Sequence, residues 1–320
     1  MTPVNSELRL AIVATPRGGN TWLRLLLSDL LDVQPLAVHD PDDCPWDNLP
    51  PRFSLTVHWH RTRAFEELLA RHRFRIIGIH RHPLDTLISI LHLSHHDVQY
   101  EWLRGEGGSE DCIVGAMPLS RAFYKYGASR RAAALLKVNL EWFGHPARYE
   151  LCYEHLVERT EDELTGLFDW LGEAPRRSIR DVMAERSLSA NQKNFAAHSH
   201  FFWKGQPGLW RSLLCRVQAE LLAQAHWQSF ARFGYLCDPD LDLTAAQADA
   251  NWIKLVREDH KRAAAEVIAS RAEMANIQAE RKSLQDQVDR LTEENRKLAG
   301  SPAAHEPAET QSMNCLGRCA

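Results

Sequence analysis

Residues 9–27, RLAIVATPRGGNTWLRLLL, pass from an apolar run through a glycine turn into a helix with leucines at helical spacing. Residues 74–94, FRIIGIHRHPLDTLISILHLS, repeat that order: buried strand, arginine at the strand end, then a helix whose first turn holds Pro83. Further strands are predicted over 53–59 and 147–153, and helices over 63–72, 121–143, 160–171 and 216–233, the last two closed by Gly172 and Gly234. Residues 173–210, rich in Ser, Asn, His and Gly, read as irregular. Strands alternating with helices imply an α/β fold, a P-loop-like three-layer sandwich around a mostly parallel central sheet.

The character of the chain changes after about residue 240. From Ile253 to Leu298 a 3–4 alternation runs without a slip, and of its positions only His260, Ser270, Arg281 and Asn295 are polar. That pattern predicts a coiled coil, and Asn295 at an a position favours a parallel dimer. The expected organisation is a domain over 1–240, a linker over 241–251, a coiled-coil helix over 252–299 and a disordered tail over 300–320, where Pro, Ala and Glu accumulate. A formal net charge of −4 argues against general nucleic-acid binding. The seven cysteines are scattered without CxxC spacing, as in a reducing compartment. No signal core or membrane-length apolar run is evident, so a cytoplasmic protein is expected. The His58/His60 and His198/His200 pairs lack Cys or acidic partners at recurring ligand spacing, so no metal is expected.

The turn at 15–20 has the makings of an anion site. Gly18 and Gly19 let backbone amides approach closely, the helix from Asn20 adds its N-terminal dipole, and Arg17 adds a fixed charge. The lysine and Ser/Thr that end a Walker A loop are missing. Arg81 ends the strand of the second unit, and Ser89, two turns into its helix, can face the same crevice at the carboxyl ends of the strands. Two cationic sites suit a ligand phosphorylated at both ends better than a triphosphate in one cradle.

This combination resembles the cytosolic-type sulfotransferases, which use 3′-phosphoadenosine 5′-phosphosulfate (PAPS). TPRGGNTW is similar to the family's 5′-phosphosulfate loop, RHPLDTLIS to its 3′-phosphate motif, YEHL at 153–156 to YEDL, and FFWKGQPGLW at 201–210 to the RKGxxGDW segment. The resemblance covers most of 8–236. It implies that Arg17 holds the phosphosulfate and stabilises the leaving oxygen, and that Gly18, Gly19, Asn20 and Thr21 line the 5′-phosphate. It also implies that Trp22 stacks on adenine, that Arg81 and Ser89 hold the 3′-phosphate, and that Lys204 and Gly205 close over it. Gly18 stands where the family has Ser, Trp203 where it has Arg, and Leu209 where it has Asp.

Sulfuryl transfer to a hydroxyl needs a base, and histidine is the natural one. The family carries its histidine after the third strand; the matching segment here is SLTVHWH. His58, 23 residues before Arg81, is the first choice and His60 the alternative, on the same face if the strand continues. The lysine that precedes the family's histidine is absent, leaving Arg17 or another side chain to take its cationic role. His92, His95 and His96 could line the acceptor side or simply end a helix. In the expected acceptor-facing segment, 94–130, Trp102, Phe123 and Tyr124 could stack on a sugar or pack the core. The implied activity is transfer to a hydroxyl of a carbohydrate or glycolipid, by likeness to bacterial-type members, in a homodimer joined by the coiled coil. Two rivals are a P-loop nucleotide kinase, disfavoured by the absent lysine, and a catalytically inactive scaffold, disfavoured by His58 and Arg17.

Overall fold

The computed structural model describes residues 7–96, 102–103, 109–195 and 201–299. In chain order its elements are β1 (Leu8–Val13), α1 (Asn20–Leu31), β2 (Gln34–Val38), β3 (Arg52–Val57), α2 (Arg63–Arg71), β4 (Arg75–His80), α3 (Pro83–Ser94), α4 (Arg121–Gly127), α5 (Arg130–Trp142), β5 (Arg148–Cys152), α6 (Tyr153–Glu158), α7 (Thr160–Leu171), α8 (Ile179–Glu185), α9 (Leu188–Asn194), α10 (Arg216–Ala225), α11 (Trp227–Phe233) and α12 (Ala245–Ala299). The five strands form one sheet in the order β2-β3-β1-β4-β5, and every pairing is parallel.

β1 lies at the centre of the sheet and, apart from Arg9 near its start, is apolar on both faces, as a strand covered on both sides must be. Leu8, Leu10 and Ile12 pack with Leu23, Leu27 and Leu30 of α1 and with Leu164 and Leu167 of α7. The alternate residues Ala11 and Val13 belong to the other layer, with Phe65 of α2, Leu87 of α3 and Leu135 of α5. The two layers sandwich the sheet, so all strand ends at the carboxyl edge open toward one crevice.

β2 has no counterpart among the predicted strands. It is an edge strand with a largely exposed face and Pro35 within it, so neither apolar alternation nor β-branched residues mark it. β3 stops at Val57 rather than reaching 59, which takes His60 off the strand face assumed for it. The helix expected over 121–143 breaks at Ala128–Ser129, where Ser129 caps α5 by accepting the amide of Ala132. The helix expected over 216–233 breaks at His226, whose ring bonds the Gly127 carbonyl at 2.5 Å. The stretch read as irregular contains α8 and α9, capped by Ser178 and Ser187.

The appended helix also starts earlier than expected. Thr244 and Gln247 cap it reciprocally: the Gln247 amide donates to Thr244 Oγ1, and Thr244 N donates to Gln247 Oε1. Ala248, Trp252 and Asp259 are buried, and Leu255 packs on the core. The contacts divide the chain after His260, so the turns up to that point belong to the domain and supersede the 241–251 linker. From Lys261 the helix is a separate unit on which Val267, Met274, Ile277, Leu284, Val288 and Leu291 are all at least half exposed. The expected tail lies outside the described residues. Among the described residues, no helix is long and apolar enough to cross a membrane.

Candidate functional site

The turn after β1 is tight. The Gly18 amide donates to the Thr15 carbonyl at 3.1 Å, and Arg17 and Gly19 both adopt positive φ, 66° and 98°. Gly19 is required twice over: its φ is left-handed, and a Cβ there would lie 2.3 Å from Cδ2 of Tyr153. No side chain caps α1, so the amides of Asn20, Thr21 and Trp22 have neither a cap nor an acceptor one turn back. That is the arrangement that receives an anion.

The second arginine comes to the same place. Arg81 Nη1 donates to the Arg17 carbonyl at 3.3 Å, and its guanidinium lies 4.6 Å from the centroid of the Tyr153 ring. Arg81 Nε is buried without a hydrogen-bond partner, a donor held ready for an acceptor. Arg17 Nε donates to Ser89 Oγ at 2.9 Å and Arg17 Nη2 to the Phe201 carbonyl at 3.1 Å. The two turns share a tether on α5: Asn139 Oδ1 accepts the Thr15 amide at 3.3 Å, and Asn139 Nδ2 donates to the Ile79 carbonyl at 3.1 Å. The turn carrying Arg81 is held from α6 as well, since the His82 amide donates to Glu154 Oε1, and Tyr235 OH, beyond α11, donates to Glu154 Oε2.

Of the remaining expected contacts, Gly205 lies beside Tyr153, whose hydroxyl donates to the Gly205 carbonyl at 2.7 Å. Lys204 is half-buried, and its ammonium is engaged by Glu258 of α12 at 2.9 Å. Trp22 donates its indole N–H to the Arg186 carbonyl and meets Tyr153 edge to face. Trp203 turns inward and stacks on His92, with ring centroids 4.0 Å apart and planes 7° from parallel. Leu209 is buried, and its neighbours Gly208 and Trp210 donate their amides to the buried Asp85 carboxylate of α3, so this segment is held from α3.

The two candidate bases differ sharply. His58 is buried, and its Nδ1–H donates to the Ala14 carbonyl at 2.7 Å, which leaves Nε2 as the lone-pair nitrogen, 3.5 Å from the side-chain Nδ2 of Asn20. Burial first, then the nearby His39, Arg24 and Arg17 charges, push its pKa down to about 4. The imidazole is therefore neutral at pH 7, with its basic nitrogen beside the anion turn. His60 instead pairs its Nδ1 with Glu141 of α5 at 2.7 Å, and Glu141 is shared with Lys137. Trp102 meets His58 edge to face at 6.3 Å, and its carbonyl is held by the buried Arg131–Glu110 pair. Phe123 is core, Tyr124 is at the surface, and His95 bonds the Ala116 carbonyl. Residues 97–101 and 104–108 of the expected acceptor segment, and His198 and His200, lie outside the described residues.

Two neighbours of His58 fall outside every sequence motif. His39 stacks on it at 6.2 Å from the end of β2, the edge strand that no apolar pattern marks. Arg24 lies one turn beyond Asn20 on α1, a spacing that could have pointed to it.

No family model matches the chain, and no curated relative matches it in sequence. Solved structures do match. Mouse sulfotransferase SULT7A1, complexed with PAP, has a TM-score of 0.55 at 17% identity, over 71% of this chain and 88% of that one. Two structures of retinol dehydratase score 0.49 at 13% identity. The one with androsterone and inactive cofactor PAP covers 71% of this chain and 82% of its own, and the one with retinol and PAP covers 76% and 84%. The protein thus has an α/β fold with a parallel sheet whose first strand turns through Gly19 into an uncapped helix. More particularly, it has the fold of the mouse sulfotransferase.

Proposed function

We propose that the protein is a sulfotransferase that moves the sulfuryl group of PAPS to an acceptor hydroxyl. The observation that carries this reading is the convergence on Tyr153 of an uncapped helix N-terminus, the Gly19 turn and an arginine whose Nε is buried and unpartnered. Bound PAPS would supply an activated sulfuryl group on a phosphate leaving group. The amides of residues 20–22 and Arg17 would hold the 5′ end and neutralise the leaving oxygen. Arg81 and Ser89, with Lys204 and Gly205, would hold the 3′-phosphate. His58 Nε2 would take the proton of the acceptor hydroxyl as that oxygen bonds to sulfur, with the Ala14 carbonyl, which accepts from Nδ1–H, orienting the imidazole. The likeness to bacterial-type members points to a carbohydrate or glycolipid acceptor; Trp102 beside His58 is itself packed in the core. The exposed 3–4 stripe of α12 beyond residue 260 supports a homodimer through a parallel coiled coil.

Calorimetric titration with 3′,5′-adenosine bisphosphate, and with ATP for comparison, tests the cofactor assignment. Micromolar bisphosphate binding without added metal, and weak ATP binding, is the expected result. In Arg81→Ala, binding of the bisphosphate should weaken far more than binding of its 5′-monophosphate analogue. Equal losses for the two ligands would refute the assignment of Arg81 to the 3′ end.

A further inference from the structure

The side chains that join α12 to the rest of the domain differ greatly in burial. Glu258 reaches Lys204 at the surface, where an ion pair contributes little. The next residue, Asp259, is 5% exposed and bonds Nε2 of His92, which is 2% exposed, at 2.9 Å. A carboxylate this deeply buried needs a reason, because desolvating it is costly unless its partner is well placed.

His92 lies one turn beyond Ser89 on α3, so the two share a face. That face meets the segment 201–205 in two steps. At the first, Ser89 holds Arg17, and Arg17 holds the Phe201 carbonyl. At the second, His92 stacks flat on Trp203. The same segment carries Lys204 and ends at Gly205, whose carbonyl is held by Tyr153. Asp259 fixes the second step from behind. With Nε2–H donating to its carboxylate, His92 cannot rotate out of the plane against which Trp203 lies. Nδ1 of His92 is buried without a hydrogen-bond partner, so among the described residues the bond to Asp259 is the ring's hydrogen-bonded anchor, beside its packing on Trp203 and His96. Burial holds His92 down to about 4, so it stays neutral and Asp259 accepts from an uncharged imidazole.

We propose that Asp259 is a positioning residue for the anion site: through His92 and Trp203 it presses the 201–205 segment onto Arg17. The inference rests on the reading that Arg17 grips the anionic end of a 3′,5′-phosphorylated nucleotide. It also gives Trp203 a role where the resemblance has an arginine: the position exchanges a direct cation for a stacked support tied to the appended helix.

The test uses the full chain with Asp259→Ala and Asp259→Asn, with folding checked by circular dichroism. Asn keeps an acceptor oxygen for His92 and should retain most of the function. Ala should weaken binding of 3′,5′-adenosine bisphosphate by about 10-fold, the loss expected for one hydrogen bond to a charged group. A folded Asp259→Ala protein that binds the nucleotide as tightly as the unaltered chain would overturn the proposal. Amide exchange supplies a second readout. Without nucleotide, exchange at 201–205 should be faster in Asp259→Ala than in Asp259→Asn or the unaltered chain; unchanged exchange there overturns the proposal even if the chain binds no nucleotide. In the unaltered chain, the bisphosphate should slow exchange at 201–205 and at 256–260 together, because coupling between sites is reciprocal. Slowing at 201–205 alone would count against it, and this readout stands if Asp259→Ala does not fold. Failure of the unaltered chain to bind the bisphosphate would instead sink the cofactor reading.

Discussion

Gly19 offers the sharpest test of how the anion turn is built. An alanine at 19 meets two separate costs. Its φ of 98° is left-handed, which costs an L-residue ~1–2 kcal/mol. Its Cβ would also lie 2.3 Å from the Tyr153 ring. That ring cannot simply swing aside, because its hydroxyl is tied to the Gly205 carbonyl and its face carries Arg81. Overpacking of this kind costs ~1–3 kcal/mol, for a total of ~2–5 kcal/mol. Gly172 is the matched control, with φ of 69° and open space for 4 Å around the position a Cβ would take, so alanine there should cost only the ~1–2 kcal/mol of backbone strain. In a domain of this size, each kcal/mol lowers Tm by about 2–4 °C, which scanning calorimetry separates. Tyr153→Leu should bring the cost of Gly19→Ala down toward that of Gly172→Ala, a coupling of ~1–3 kcal/mol. If Gly19→Ala and Gly172→Ala prove equally destabilising, Tyr153 does not pack on the turn as described.

His58→Ala should lower turnover by ~10²–10⁴-fold with nucleotide affinity nearly unchanged, while His60→Ala, which only breaks the Glu141 pair, should leave turnover close to normal; the reverse pattern in initial-rate kinetics would move the base to His60. Removal of 261–299 should turn a dimer into a folded monomer by light scattering, whereas removal from 252 should also destabilise the domain by taking out Asp259 and Trp252; an unchanged mass in the first case would refute dimerisation through α12. Stability should fall on acidification from about pH 6.5 to 4. His58, His80 and His92 are each held at about 4 against 6.5 unfolded, so the unfolded chain binds more protons throughout that window, each group adding up to ~1.4 kcal/mol per pH unit. Glu150, raised by burial to about 7, works the other way and offsets one of the three; urea midpoints that are flat across the window would contradict the buried neutral histidines.

Long apolar stretches were legible because central strands buried on both faces leave no polar alternation to confuse the reading. β1 and β4, with the helices that follow them, belong to this class, and with them came Arg17, Arg81 and Ser89. β2 escaped because an exposed edge strand needs no apolar pattern, and His39 escaped with it. α8 and α9 each bury a single residue, so serine caps rather than periodicity define them. Asp259 was hidden for a different reason. The domain-facing stripe of Ala248, Trp252, Leu255 and Asp259 overlaps the first heptads of the 3–4 pattern, and on a helix two stripes can share a length of chain on different faces. His58 and His60, equivalent on a continuing strand, parted only because β3 stops at Val57 and the chain turns His60 toward Glu141.

The Asn139 amide joins the carboxyl ends of β1 and β4 with one rigid side chain. It acts as a calliper, setting the gap between the two arginine-bearing turns before any ligand arrives. A molecule whose charged groups sit at the wrong separation can engage one turn or the other but not both. On the proposed reading, selection by length precedes any reading of the base, and a change at Asn139 should retune which spacing is accepted rather than abolish anion binding.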